Sequence, residues 1–244
     1  MMLSTAIIDN KIMTDIHCHV LPFVDDGSDS LETSISMLEE QIRQGVKNVI
    51  LTPHYRKGFY CADNKEIVES IDELKALAKQ KGLDVNLNLG REISIYGGFE
   101  KDLEDGKILS LANSKFLLLE FPYDTETDID EVCYKVKMQG YVPVIAHVER
   151  YSYYRSIEKI VALKASGVVI QVNASPIVKK SIASENKFVK KLLKNRLVDI
   201  VASDWHSTRS NCFKEAYNKV KSKYGDYADL IFNVNPTHII NSAK

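Results

Sequence analysis

Two histidines one residue apart offer the first chemistry in this chain. Asp15-Ile16-His17-Cys18-His19 closes an extended apolar segment. Side chains alternate along a strand, so His17 and His19 project to one side and Cys18 to the other. Side-by-side imidazoles are a good start for a metal site. More candidate ligands follow in Asp25-Asp26-Gly27, Thr52-Pro53-His54, Gly90-Arg91-Glu92, Leu119-Glu120-Phe121, Ala146-His147 and Ser203-Asp204-Trp205-His206. Five of the six histidines lie in these segments, which points to one polynuclear site assembled from the whole chain.

Each residue also has a plainer reading. Asp26 sits in a turn-like segment that a solvated loop would explain, but its closeness to the histidine pair makes it a candidate ligand. His54, taken alone, is a capping or surface histidine. Glu92 and Glu120 end apolar strands, where a carboxylate is costly unless paired or metal-bound. Arg91 or Arg150 would supply a salt bridge; a carboxylate bridging two cations is the reading favoured for Glu92. His147 ends the apolar run VPVIAH, where packing gives an imidazole no purpose. Asp204 and His206 repeat the spacing of the first pair.

Histidine mixed with carboxylate suits manganese, iron or zinc in multi-ion hydrolytic sites. Such sites lower the pKa of bound water and clamp a phosphoryl group during in-line attack. Arg150 follows His147 by three residues, and Arg209 follows His206 by three. Both are read as catalytic residues that grip phosphate, since arginine offers planar, bidentate donors; the alternative for each is a surface salt bridge. Cysteine chemistry is excluded by spacing. The residues six after Cys18, Cys61, Cys133 and Cys212 are Val24, Ile67, Gln139 and Asn218, so no cysteine–five–arginine loop exists. All four read as buried, unreactive thiols.

The elements that must carry these residues alternate strand and helix. Strands are predicted at 12–18, 46–51, 85–92, 116–121, 142–147, 168–173 and 198–203. The helix after the first strand starts at a capping box of Asp29 and Glu32 and stops at Gly45. The next runs through Ile67, Ile71, Leu74 and Leu77 to Gly82, and others cover 128–139, 156–166, 184–195, 211–224 and 226–232. This alternation implies a parallel sheet. His19, His54, Glu92, Glu120, His147 and Asp204 all fall at or just past C-terminal strand ends. Six contributing strands favour a barrel, whose strand ends share one mouth, over an open sheet with its single switch point. No linker or charge block divides the 244 residues, so one domain is expected over 1–244.

Composition adds exclusions. Hydrophobic residues at 45% and charged residues at 27% suit a soluble globular protein. A formal net charge of −1 gives no reason to expect nucleic acid or an anionic membrane as bulk partner. No apolar run reaches the length of a membrane span, and Met1–Lys11 lacks a signal pattern, which points to the cytoplasm.

Taken together, DIHCHVLPFVDDGS, RQGVKNVILTPHYRKG, GREI, LLLEFP, GYVPVIAHVERY and VDIVASDWHS resemble the PHP (polymerase and histidinol phosphatase) phosphoesterases. The resemblance is closer to one branch, the bacterial capsule- and exopolysaccharide-linked protein-tyrosine phosphatases of CpsB type, and runs from residue 15 to about 208. It implies a distorted (β/α)7 TIM-like barrel with two or three divalent ions, usually manganese, with iron or zinc as alternatives. It implies a phosphatase acting on the phosphotyrosine tail of a bacterial tyrosine kinase that regulates polysaccharide export. His17, His19, Asp26, His54, Glu92, Glu120, His147, Asp204 and His206 stand where family ligands stand, and Arg150 and Arg209 at or near its phosphate-binding arginines. The segment Ser207-Thr208-Arg209-Ser210 departs from the family, which often has a longer stretch there followed by proline. A small-molecule phosphatase such as a histidinol-phosphate phosphatase is the near rival. A non-catalytic PHP module is another, and C–N bond hydrolysis would need a carboxylated lysine with no candidate here. Eight aromatics, Tyr55, Phe59, Tyr60, Tyr96, Tyr123, Tyr151, Tyr153 and Tyr154, are expected at the mouth, where they suit an aryl phosphate. The sequence leaves the oligomeric state open.

Overall fold

The computed structural model describes residues 12–243; the reading of Met1–Lys11 lies outside them. The chain alternates short parallel strands with helices. The strands are β1 Met13–Cys18, β2 Val46–Leu51, β3 His54–Tyr55, β4 Asn86–Leu89, β5 Glu92–Ser94, β6 Phe116–Glu120, β7 Val142–Ile145, β8 Val169–Asn173 and β9 Ile200–Ala202. The helices are α1 Leu31–Arg43, α2 Asn64–Gln80, α3 Phe99–Glu104, α4 Ile129–Met138, α5 Ile157–Ala165, α6 Ala174–Ile177, α7 Ala183–Lys194 and α8 Phe213–Tyr224, followed by helical turns at Tyr227–Asp229, Leu230–Val234 and Asn235–Asn241. No helix among the described residues is long and apolar enough to cross a membrane.

Strand order is β1-β2-β4 in one sheet and β3-β5-β6-β7-β8-β9 in the other, all pairs parallel. The two sheets are halves of one curled surface, because two strand paths are interrupted, one of them a predicted strand. The strand expected at 85–92 breaks at Gly90-Arg91 into β4 and β5, and β2 breaks from β3 at Thr52-Pro53. Pro53 has no N–H to give the ladder. A Cβ on Gly90 would lie 2.9 Å from Leu111 Cδ2 and 3.0 Å from Leu111 Cα, so only glycine lets that turn approach. The breaks are bridged by Gly90 N–H to Leu51 O (2.9 Å) and Glu92 N–H to Pro53 O (3.2 Å). At the far edge, Asp204 N–H donates to His17 O (2.8 Å) and His19 N–H to Trp205 O (2.9 Å), joining the end of β9 to the end of β1.

An inner cluster of Ile16, Ile50, Phe116, Leu118, Val144 and Ile200 fills the hollow of the curl, capped below by Leu111 and Ile239. Residues from β1, β2, β6, β7 and β9 touch there although these strands are not all neighbours, which requires curvature. The larger cluster packs the opposite strand faces against the helices, with Leu38, Ile71, Val136, Leu163 and Leu192 among its members.

Local signals explain the helices and correct two expectations. α1 is capped by Ser30, whose Oγ accepts from Thr33 N–H at 3.1 Å, not by a box at Asp29 and Glu32. Asp29 instead takes the Thr33 hydroxyl at 2.7 Å. A true capping box starts α2. There Glu66 N–H donates to Asp63 Oδ1 (2.9 Å) and Asp63 N–H to Glu66 Oε2 (3.0 Å), an arrangement worth about 1 kcal/mol. Gly45 and Gly82 end their helices at φ of 87° and 69°. The helix expected at 226–232 is a short turn at Tyr227–Asp229 running into a π-helix at Leu230–Val234.

Candidate metal centre

All nine predicted ligands meet at the C-terminal strand ends. His17 and His19 face each other with Nε2 atoms 3.3 Å apart and ring centroids 5.4 Å apart, as strand alternation requires. Cys18 points away, its thiol against Ile50 O at 3.8 Å. Glu92 is the hub. Its Oε2 lies 3.3 Å from both His17 Nε2 and His19 Nε2 and 3.0 Å from His54 Nδ1, and Oε1 lies 2.8 Å from His147 Nε2. Glu120 flanks it, 3.8 Å from His54 Nδ1 and 3.9 Å from His147 Nε2. Asp204 Oδ1 is 3.5 Å from Nε2 of His17 and of His19. Asp26, half exposed, closes the open side at 3.3 Å from His206 Nε2 and 3.6 Å from His54 Nε2. His206 stacks on His19 at 4.0 Å.

Ligand-type atoms fall into three overlapping groups, His19–Asp26–His54–His206, His17–His19–Glu92 and His54–Glu92–Glu120, each within 4.8 Å. His19, His54 and Glu92 each serve two groups, the pattern of neighbouring ions sharing ligands. His147 and Asp204 stand outside these groups yet touch their members. The salt bridges considered for Glu92 do not form. Arg91 turns to His54 O and Ala62 O and to Asn64 Oδ1, and Arg150 to Asp204.

Electrostatics test whether metal fits. Burial opposes ionisation of Glu92 and Asp204. The imidazoles around Glu92, and Arg150 with His19 beside Asp204, outweigh it and hold both well below the usual carboxylate range. Burial likewise opposes charge on His17, His19 and His54, but the carboxylates raise all three. Burial lowers His147, and burial with the nearby His19 brings His206 down to about 4. Protons and divalent cations would thus compete for the same lone pairs. Two buried atoms decide the fit: His54 Nδ1 and Glu92 Oε2 are 3.0 Å apart, and neither makes a hydrogen bond. A buried polar atom left unpaired costs roughly 1–3 kcal/mol. A cation coordinated by both would satisfy both, so the donor set fits His–carboxylate metal binding.

A second ring of residues that sequence reasoning missed orients the first. Asp25 Oδ2 accepts from His19 Nδ1 (2.7 Å) and from His54 N–H (3.0 Å), and its carboxyl is held down at about 2: burial opposes this, but His19 prevails. Gln171 Oε1 lies 3.1 Å from His17 Nδ1 and accepts from His147 N–H at 2.9 Å. Asn173 donates to Asp204 Oδ2 (2.8 Å), and the Tyr151 hydroxyl is 3.2 Å from His147 Nδ1. Such partners fix tautomer and ring angle. Polar residues in the buried strand VIQVN were the available signal. Gly27 belongs to this ring through its backbone: a Cβ there would sit 2.0 Å from His19 O, while its own carbonyl accepts from Ser207 N–H at 3.3 Å. His147 and Asp204 adopt left-handed backbone, φ 33° and 47°, an uncommon cost for non-glycine residues that clusters at functional sites.

The arginines sit at the rim. Arg150 donates to Asp204 Oδ2 (2.5 Å) and to the Tyr123 hydroxyl (3.2 Å). Arg209 approaches Asp204 Oδ2 at 3.8 Å, and its carbonyl accepts from Trp205 Nε1 at 2.7 Å. Of the eight aromatics expected at the mouth, Tyr55, Tyr151 and Tyr154 are core residues instead, because their rings fill space between sheet and helices. Phe59, Tyr96 and Tyr123 do line a cleft of about 430 Å³ beside Glu120, and Tyr60 stacks on His54 at 5.8 Å.

The profile of the capsular polysaccharide synthesis family CpsB/CapC matches residues 13–241. The chain belongs to the CpsB/CapC family. Within it, the chain is 35% identical over 238 residues to the tyrosine-protein phosphatase CpsB of Streptococcus pneumoniae, covering 93% of this chain and 98% of that protein. It is 32% identical over 217 residues to the tyrosine-protein phosphatase YwqE of Bacillus subtilis, covering 87% and 85%. It also superposes with a TM-score of 0.87 and 30% identity on a chain from the crystal structures of YwqE and CpsB, described as unique metal-dependent tyrosine phosphatases, over 95% of this chain and 96% of that one.

Proposed function

We propose that this CpsB/CapC chain is a metal-dependent protein-tyrosine phosphatase, a phosphoric monoester hydrolase acting on the phosphotyrosine tail of a bacterial tyrosine kinase that governs capsule or exopolysaccharide synthesis. One observation carries it: Glu92 and His54 present unpaired, buried donor atoms at the centre of nine ligand-type side chains. The relatives' names and the aryl-lined cleft beside Glu120 favour a tyrosyl leaving group over histidinol phosphate. We read the fold as a distorted (β/α)7 barrel, with each interrupted strand counted once, and the chain as one cytoplasmic domain over 1–244.

The proposed ligands are His17, His19, Asp26, His54, Glu92, Glu120, His147, Asp204 and His206, holding two or three ions, manganese first and iron or zinc next. Such ions supply Lewis acidity and make water acidic enough to be a nucleophile at neutral pH. The protein's own share is placement. Asp25, Gln171 and Tyr151 hold the imidazoles in one tautomer. Asp204 divides its oxygens, Oδ1 toward the imidazoles and Oδ2 toward Arg150. Arg150 and Arg209 then offer N–H groups to the non-bridging phosphate oxygens, and Tyr123 walls the aryl side. The test is turnover of a phosphotyrosine peptide and of histidinol phosphate by the same preparation, with metal analysis. Chelation should abolish turnover and Mn²⁺ restore it; full activity in metal-stripped protein, or a preference for histidinol phosphate, overturns the reading.

A further inference from the structure

We propose that the groove between α7 and α8 is a second substrate-binding site, which takes an acidic, apolar-anchored stretch of the protein whose phosphotyrosine occupies the metal centre. The proposal rests on the phosphatase reading. Residues 176–224 hold twelve Lys or Arg against four Asp or Glu, a net +8 in a chain of net −1, which leaves −9 elsewhere. Part of that charge is focused. A groove of about 460 Å³ has a floor of Ile177, Leu193, Val220 and Tyr224. Its rim is Lys179, Lys187, Lys190, Lys219 and Lys223, all exposed. Among the described residues none of these five lysines is in an ion pair, whereas the neighbouring Lys180 and Lys221 pair with Glu215 and with Asp226 and Asp229. Unpaired ammonium groups around an apolar floor complement carboxylates flanking a buried aliphatic side chain.

The groove adjoins the metal centre's rim through residues 175–183. Ser175, Lys180 and Ser181 line a cleft with Arg150, Asp204 and Arg209, while Pro176, Ile177, Lys179 and Ala183 line the groove. One turn of chain thus separates the two, and an extended peptide leaving the centre on the arginine side meets the lysines next. An anionic bilayer would also attract lysines, but the apolar surface here is recessed below them, which suits an inserted side chain and not a flat lipid surface.

The experiment compares metal-loaded protein on three kinds of phosphotyrosine peptide. One is short. One is joined through linkers of increasing length to a Glu/Asp-rich segment centred on leucine. One carries the same segment with lysines for the acids. The acidic segment should lower KM about tenfold at one best linker length, with kcat unchanged. The gain should fade with added salt. It should vanish in Lys187→Glu/Lys190→Glu/Lys219→Glu and shrink in the corresponding triple Gln variant, while both turn over the short peptide as the parent does. Equal KM for acidic and lysine-bearing peptides overturns the proposal. So does lysine-dependent sedimentation with phosphatidylglycerol vesicles in the absence of any peptide preference. Fluorescence anisotropy of the unphosphorylated acidic peptide separates the two readings. If no phosphotyrosine peptide is hydrolysed, the phosphatase reading falls, and anisotropy alone decides the groove: tight binding lost in the triple Glu variant supports it, and no binding refutes it.

Discussion

The imidazole–carboxylate floor of the centre and its arginine rim are built on opposite terms. On the floor, His17, His19, Glu92 and His147 are buried, and each is held by a further side chain or backbone group. On the rim, exposure rises from 26% at Arg150 to 54% at Arg209, against 3% at the Asp204 side chain that both approach, and fixed partners grow fewer in step. Desolvated charge is expensive to hold and acts strongly; solvated charge is easily held and acts weakly. The floor is organised for chemistry and the rim for grip. Variants at the two levels should therefore fail differently.

The largest effect should come from the hub. Glu92→Ala should lose bound metal and cut turnover by several orders of magnitude, a loss on the order of several kcal/mol in the transition state, while circular dichroism still shows a folded chain. Asp204→Ala and His17→Ala should follow it. Near-normal turnover in any two of these would erase the distinction between floor and rim. Arg150→Ala should keep its metal and lower kcat/KM about ten- to a hundredfold, the worth of a charge-assisted phosphate contact. Arg150→Lys should recover part of the loss, since charge remains but the bidentate fork does not. Phosphate inhibition that stays unchanged in Arg150→Ala would reduce this residue to a salt-bridge partner of Asp204. Arg209→Ala should show the same trend more weakly, in line with its exposure.

Asp25→Asn probes the floor from beneath. It keeps the shape but removes the charge that orients His19, so metal affinity measured by competition with a chelator should fall about tenfold. An unchanged affinity would place Asp25 outside the floor. The smallest effect should be that of thiol alkylation. Cys18 and Cys133 are buried, with Cys133 pushed by burial up to about 12, and Cys61 is the exposed one. Turnover should persist after alkylation, and its loss would bring a thiol into the mechanism.

Much of this floor was legible because its signals are local and periodic. The i, i+2 spacing of His17 and His19 forces the rings together in any extended strand. A carboxylate or imidazole ending an apolar run, as at Glu92, Glu120 and His147, has few reasons to be there. Asp25 was passed over for Asp26 because neighbouring acids in a turn cannot be told apart until the turn's direction is known. Gln171 and Asn173 recruit partners about 24 to 154 residues away, a separation no local pattern encodes. The break at Gly90 depends on Leu111, which packs against it from elsewhere in the chain. Tyr151 ends the catalytic-looking segment HVERY and Tyr154 follows it, yet both face the core, since a short helical turn after His147 reverses their direction.

Gly27 has a consequence for how this chain can vary. Its missing side chain lets the acidic turn lie directly on the backbone of His19 while its carbonyl holds Ser207. Alanine, the smallest possible change, would wedge apart the segments bearing His19, Asp26 and His206 at once. Random mutagenesis selected for growth on the enzyme's activity should therefore recover glycine alone at position 27, although no side chain there exists to take part in the reaction. A survey that ranks positions by the chemistry of their side chains would overlook the one with none.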